Sequence, residues 1–358
     1  MSSPPKWSKN PTKDTIQELL KIGGPPEAPP PPLYAPRRYC VSGMKHSVFF
    51  GGYGLLYESQ EPEEKYKILH NLREYKASHS EIVRPFGSSA DTEGAFVIWP
   101  RCRASEKTPD VRRIWFLFPG SGMLTLQWLE VLAYGVREIP TDLPTAAAAT
   151  ASDGSSRANQ DRFQYDMFVL MDYPGQGLCV GSESDPTPQS IHTLVLSISQ
   201  TIAYILNIQL DHLFEISSTM GYSLGCAAAL QFASLCRIGG RCVLVSPFSS
   251  ASDVAKFTVA KSIYGSSLIV SMVPYSIIPD FDNKKRMMEF LKSTRCEPED
   301  RKVVIFHGTL DDICPFSGSL ELVKLHRGAT LVRCEGASHS VFWTHSDLIM
   351  SELCCSRV

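Results

Sequence analysis

Short apolar runs alternate with longer stretches of helical spacing through most of this chain. Ile114-Trp-Phe-Leu-Phe118 and Met167-Phe-Val-Leu-Met171 are unbroken apolar pentads, the pattern of strands buried on both faces. Cys242-Val-Leu-Val245, Val303-Val-Ile-Phe306 and Thr330–Cys334 continue the series, and Leu213–Met220 is read as a further strand. Helical spacing predicts helices over Leu124–Val136, Ile191–Leu206, Leu224–Arg237 and Leu320–His326. Upstream, Glu81–Phe86 and Ala95–Pro100 read as a hairpin with its turn near Ser88–Gly94. Strand and helix alternate, so the crossovers should be right-handed. The expected fold is α/β, a mostly parallel sheet of about eight strands flanked by helices. One strand is at odds with this pattern. Phe214-Glu-Ile-Ser-Ser-Thr-Met220 carries four polar residues where a central strand should be apolar, so either Glu215 and Ser217 find partners or the boundary lies elsewhere.

The segments outside this alternation divide the chain. Residues 1–40 are proline-rich, with Pro29-Pro-Pro-Pro32, and are expected to form no core of their own beyond a short helix near Thr15–Ile22. The remainder, 41–358, reads as one domain. Within it an Ala/Ser stretch at 145–160 reads as a surface loop, and 248–301 as a small cap whose apolar part, Ile263–Pro279, is broken by Pro274 and Pro279.

Composition narrows the function classes. The chain has 358 residues, 43% hydrophobic and 20% charged, with a formal net charge of −2. That balance supplies no basic footprint for nucleic acid. Eleven cysteines are scattered without a Cys-x-x-Cys pair, which argues for reduced thiols rather than a disulfide framework or a zinc site. No cofactor or metal is implied. The N-terminus lacks the apolar core of a signal peptide, and Ser2 stands where myristoylation needs glycine. Cys355-Ser-Arg-Val358 has the spacing of a prenylation site but polar, basic middle residues, and reads as a free tail. The expected location is cytoplasmic, with membrane contact at most peripheral.

Chemistry concentrates in a few loops. Gly221-Tyr-Ser-Leu-Gly225 follows a strand and opens a helix, the setting of a nucleophile elbow, with Ser223 as nucleophile. A serine hydroxyl needs a base, and the base needs an orienting acid. Among nine histidines, His339 lies in the loop Glu335-Gly-Ala-Ser-His339 directly after the last strand, and His345 is the weaker candidate. The loop His307-Gly-Thr-Leu-Asp311-Asp312 offers the acid. Asp311 is the choice, Asp312 the alternative, and His307 reads as a packing or hydrogen-bonding residue. Backbone N–H groups of Leu224 and of Ser121, in Phe118-Pro-Gly-Ser-Gly122, are the candidate oxyanion hole, with Gly122 as the neighbour of Ser121 that could take its place. Asp172-Tyr-Pro-Gly-Gln-Gly177 reads as a structural turn fixed by Asp172.

Taken in order, these five motifs resemble the α/β-hydrolase superfamily over residues 81–355. Ser246-Pro-Phe-Ser-Ser250, Asp280-Phe-Asp-Asn283 and the His307–Pro315 block are most similar to the small-cap group that includes protein depalmitoylases and acyl esterases. The chain departs from that group at Pro119, where histidine is frequent, at Leu178-Cys179 after the turn glycine, and in lacking an N-terminal cysteine cluster. The resemblance implies a triad of Ser223, Asp311 and His339 and hydrolysis of an ester or thioester in a small-molecule or acylated substrate. A serine peptidase of the same fold, or a non-catalytic binding protein on that scaffold, are the alternatives.

Overall fold

The computed structural model describes residues 80–85, 94–99, 111–121, 123–129, 131–132, 166–179, 186–262, 281–292, 303–326 and 328–354. The proline-rich segment 1–40, the loop 145–160, the apolar stretch Ile263–Pro279 and Cys355 lie outside them.

Among the described residues eight strands form one sheet: β1 (Ser80–Val83), β2 (Ala95–Ile98), β3 (Arg113–Phe118), β4 (Asp166–Met171), β5 (Ser217–Tyr222), β6 (Cys242–Val245), β7 (Val303–Gly308) and β8 (Ala329–Cys334). Their order across the sheet is β1-β2-β4-β3-β5-β6-β7-β8. β2 runs antiparallel to both neighbours, and every other pair is parallel, as the apolar pentads predict. The period-2 alternation of each strand feeds two cores. Ile114, Phe116 and Phe118 of β3 point to one face with Val303 and Ile305 of β7. Trp115 and Leu117 point to the other with Val304 and Phe306.

The first face is covered by α1 (Pro188–Leu206), α3 (Leu224–Cys236), α5 (Asn283–Lys292) and α6 (Phe316–Leu325). In α3 every residue except Leu235 is buried, because the sheet lies beneath it and α1 and α5 flank it. Its Phe232 meets Phe116 and Phe214, with ring centroids 4.7 and 5.8 Å away. The second face carries Trp128 and Leu129, together with α7 (Val341–Thr344) and α8 (Ser346–Cys354). Among the described residues, no helix is long and apolar enough to cross a membrane.

Three expectations change. Leu213 and Phe214 do not belong to a strand. They bury one side of a short helix, α2 (Leu210–Glu215), while Glu215 is exposed beside His212. β5 starts at Ser217 and reaches Tyr222, which resolves its polar character. The Ser217 hydroxyl donates to the Leu213 carbonyl at 2.7 Å, and Ser218 Oγ accepts from the Arg241 N–H at 3.1 Å. The expected helix Leu124–Val136 opens instead as a 3-10 turn, Thr125–Gln127. α6 begins a turn earlier than the spacing suggests, because Pro315 presets the backbone ahead of Phe316. The stretch 248–301 contains α4 (Ala251–Ser262) as well as α5, and α5 packs on α3 with Met287 and Phe290 in the core.

Candidate active site

Parallel pairing aligns the ends of the central strands. Phe118 lies opposite Gly221, Tyr222 opposite Val245, Val245 opposite Phe306, and Gly308 opposite Cys334. The loops leaving these ends therefore share one edge of the sheet, the usual place for a ligand in an open α/β fold.

Ser223 occupies the turn between β5 and α3 with φ 54° and ψ −115°, a conformation that L-residues rarely adopt. Its N–H donates to the Val245 carbonyl at 2.8 Å. The flanking glycines are required sterically. A Cβ on Gly221 would lie 2.3 Å from the Gly225 carbonyl oxygen, and one on Gly225 would lie 2.1 Å from that of Phe118. These contacts are with backbone, which has no rotamer by which to yield.

Two further loops converge on this turn. The β7–α6 loop carries Asp311, and the β8–α7 loop carries His339. They are stitched together by Leu310 N–H to Ala337 O at 2.9 Å and Gly336 N–H to Thr309 Oγ1 at 2.9 Å. The structure brings the three side chains into one line. His339 Nε2 is 3.0 Å from Ser223 Oγ, and His339 Nδ1 is 2.7 Å from Asp311 Oδ2. The carboxylate accepts only, so Nδ1 carries the proton and the Nε2 lone pair faces the serine. Asp311 Oδ1 accepts from the N–H groups of Ile313 and Cys314 at 2.9 and 2.8 Å. Burial alone would push the Asp311 carboxyl up. Hydrogen bonds from His307, His339 and Ile313, with the charge of His339, more than offset this and hold it well below the usual carboxylate range. Asp312, the alternative acid, is exposed. His345 bonds Thr344 Oγ1 at 2.9 Å and has no hydrogen bond to Ser223 or Asp311.

Leu224, one candidate oxyanion donor, is the first residue of α3. Ser121 follows β3 by three positions in an exposed turn, and Gly122 lies outside the described residues. The loop leading to Ser121 is held from below, since the Tyr173 hydroxyl donates to the Pro119 carbonyl at 2.6 Å. Asp172 binds more than its own turn. Oδ2 accepts from Leu178 N–H at 2.9 Å, and Oδ1 from Thr125 N–H at 2.7 Å, tying the turn to the start of the 3-10 segment.

The strand order, the antiparallel β2 and the serine on the β5–α3 turn together define a known architecture. The chain has the α/β-hydrolase fold. No protein-family model and no curated protein sequence matches it. Solved structures do. A 2,6-dihydroxy-pseudo-oxynicotine hydrolase superposes with a TM-score of 0.51 at 12% identity, over 83% of this chain and 75% of that one. The protein AbyA5 follows at 0.50 and 11%, over 82% and 75%. An esterase from Pyrococcus furiosus reaches 0.47 at 11%, over 76% and 87%. At such identities the likeness concerns the fold.

Several residues of this site escape a reading of the sequence. Tyr222 fills the space above Gly120, donates its hydroxyl to the His339 carbonyl at 3.1 Å, and stacks on Phe342 with centroids 5.0 Å apart. Cys314 places its sulfur 3.9 Å from Ser223 Oγ, and burial, aided by the charge of Asp311, pushes the thiol up so that it stays neutral. Only the position of Tyr222 inside the Gly-x-Ser-x-Gly run hinted at a role. Cys314 has no local signal, because its place depends on how the β7–α6 loop folds back. The runs Ser246–Ser250 and Phe281–Asn283, distant in sequence, meet in space. Ser250 bridges Asp282, and buried Asn283 donates its side-chain N–H to the Phe248 carbonyl at 2.8 Å.

Proposed function

We propose that this chain is a serine hydrolase that transfers an acyl group to water through an acyl-enzyme on Ser223. The observation carrying this is the single line of hydrogen bonds, 3.0 Å from Ser223 Oγ to His339 Nε2 and 2.7 Å from His339 Nδ1 to Asp311 Oδ2. His339 takes the serine proton as Oγ attacks the carbonyl carbon. Asp311 keeps the imidazole in the tautomer with its Nε2 lone pair toward the serine and stabilises the cation that forms. The N–H groups of Leu224 and Ser121 receive the oxyanion, and the N-terminus of α3 favours the developing charge. Collapse of the tetrahedral intermediate expels the alcohol or thiol, which takes the proton from His339. Water then repeats the sequence on the acyl-enzyme, with His339 as base.

The substrate is proposed to be an ester or thioester with an apolar acyl group. The resemblance of Ser246–Ser250, Asp280–Asn283 and His307–Pro315 to acyl esterases supports this. So do the exposed apolar side chains of the acid loop and of α7, where Leu310, Ile313 and Trp343 are 67%, 49% and 36% exposed. A fluorophosphonate probe tests the chemistry. The native chain should label and Ser223→Ala should not. A native chain that stays unlabelled would leave the scaffold as a binding protein. p-Nitrophenyl esters, acyl thioesters and peptide amides then rank substrates, and a preference for the amides would favour the peptidase alternative.

A further inference from the structure

His307 is wholly buried behind the site, and both of its ring nitrogens are engaged. Its Nδ1 lies 2.6 Å from Ser319 Oγ. Its Nε2 lies 3.0 Å from the Cys314 carbonyl oxygen and 3.2 Å from Asp311 Oδ2. Phe316 meets the ring edge-on, with centroids 5.5 Å apart. Both neighbours of Nε2 are acceptors, so Nε2 carries a proton, shared between carbonyl and carboxylate. In the neutral ring Nδ1 then accepts from the Ser319 hydroxyl. A serine inside a helix ordinarily turns its hydroxyl back to the carbonyl four residues earlier, whereas Ser319, inside α6, bonds the imidazole. A role in packing alone would call for an apolar ring and would not need Ser319.

The geometry points to His307 as a positioning residue that, locked by Ser319, fixes the Asp311 carboxylate for its bond to His339. This inference rests on the serine-hydrolase reading above. Oδ1 of Asp311 is held by two backbone N–H groups, which leaves the carboxylate a pivot at that oxygen. Oδ2 faces two ring nitrogens, those of His339 and His307, and His339 is the one that also bonds the reacting serine. By also bonding the Cys314 carbonyl, His307 holds the loop segment whose side chain lies against Ser223. The relay thus runs from Ser319 through His307, Asp311 and His339 to Ser223.

The test compares His307→Phe, His307→Gln and Ser319→Ala in the full chain. Glutamine carries an amide N–H at about the reach of Nε2, and phenylalanine keeps the ring without it. With a p-nitrophenyl ester, His307→Phe should lose kcat with KM little changed, by roughly the 10–100-fold seen when the outer hydrogen-bond partner of a metal-ligating histidine is removed. His307→Gln should recover most of that loss, and Ser319→Ala should fall several-fold in kcat. The low-field proton resonance of the His339–Asp311 hydrogen bond should move in His307→Phe and stay in His307→Gln. A folded His307→Phe with native kcat, or a glutamine variant as impaired as the phenylalanine one, overturns the inference. If His307→Phe does not fold, Ser319→Ala decides, and native kcat there overturns it equally. The resonance is read whether or not ester is turned over, so a native chain that fails to label Ser223 sinks the hydrolase reading separately.

Discussion

The turn that presents Ser223 makes a prediction that separates backbone strain from lost chemistry. At φ 54° and ψ −115° the residue pays for its position with strain on the order of 1–3 kcal/mol. Ser223→Ala and Ser223→Gly both remove the hydroxyl and its 3.0 Å bond to His339, so that loss cancels between them. They differ in the Cβ. Alanine keeps the strain. Glycine releases it but loses about 0.4–1 kcal/mol through the greater freedom of its unfolded chain. Ser223→Gly should therefore be more stable than Ser223→Ala by about 1 kcal/mol, or roughly 2 °C in Tm for a chain of this size. Urea midpoints with matched slopes, backed by calorimetry, measure the difference. Neither variant should label with fluorophosphonate. A glycine variant equal to or less stable than the alanine one would refute the strain argument, whatever the labelling shows.

Other consequences follow from the same geometry. Asp311→Asn should cut kcat by about 10⁴-fold, because the amide no longer selects the Nδ1–H tautomer, while Asp312→Asn should stay within a few-fold; equal losses would refute the choice of acid. The Asp311 carboxylate is also held below its unfolded value, so its contribution to stability is present above about pH 4 and lost as pH falls. The difference in stability between native chain and Asp311→Asn should shrink on acidification, and a constant gap would count against it. Gly225→Ala drives a Cβ to 2.1 Å from the Phe118 carbonyl oxygen and should lower both labelling rate and Tm; a native labelling rate would show that β3 and α3 can part freely. Asp166 runs the opposite way: burial raises it to about 6 against the pull of Arg113, so the folded chain binds the extra proton between about pH 4 and 6. Stability from this group falls as pH rises through that window, and Asp166→Asn should gain up to about 3 kcal/mol on the native chain between pH 4 and 8. Urea titrations at the two pH values would refute this if the gap between them did not change.

The sequence by itself determined the layer architecture, because apolar pentads can be buried only in a sheet covered on both faces. It also determined the candidate nucleophile, since Gly221 and Gly225 flank a serine at a strand-to-helix turn where no larger residue fits. Asp311 and His339 were legible as loop residues after apolar strands. Their distance from Ser223 was not, because it depends on the register of β5 to β8 and on the bonds stitching the two loops. Leu213 and Phe214 misled for a related reason: an apolar pair suits a strand or a short helix equally, and only packing against Phe232 of α3 selects the helix. Tertiary structure alone decided what lies around the three side chains. Tyr222 over Gly120, Cys314 beside Ser223, and His307 with Ser319 behind Asp311 join residues from different strands and helices. Nothing in a linear pattern records which buried donor meets which buried acceptor once the chain has closed.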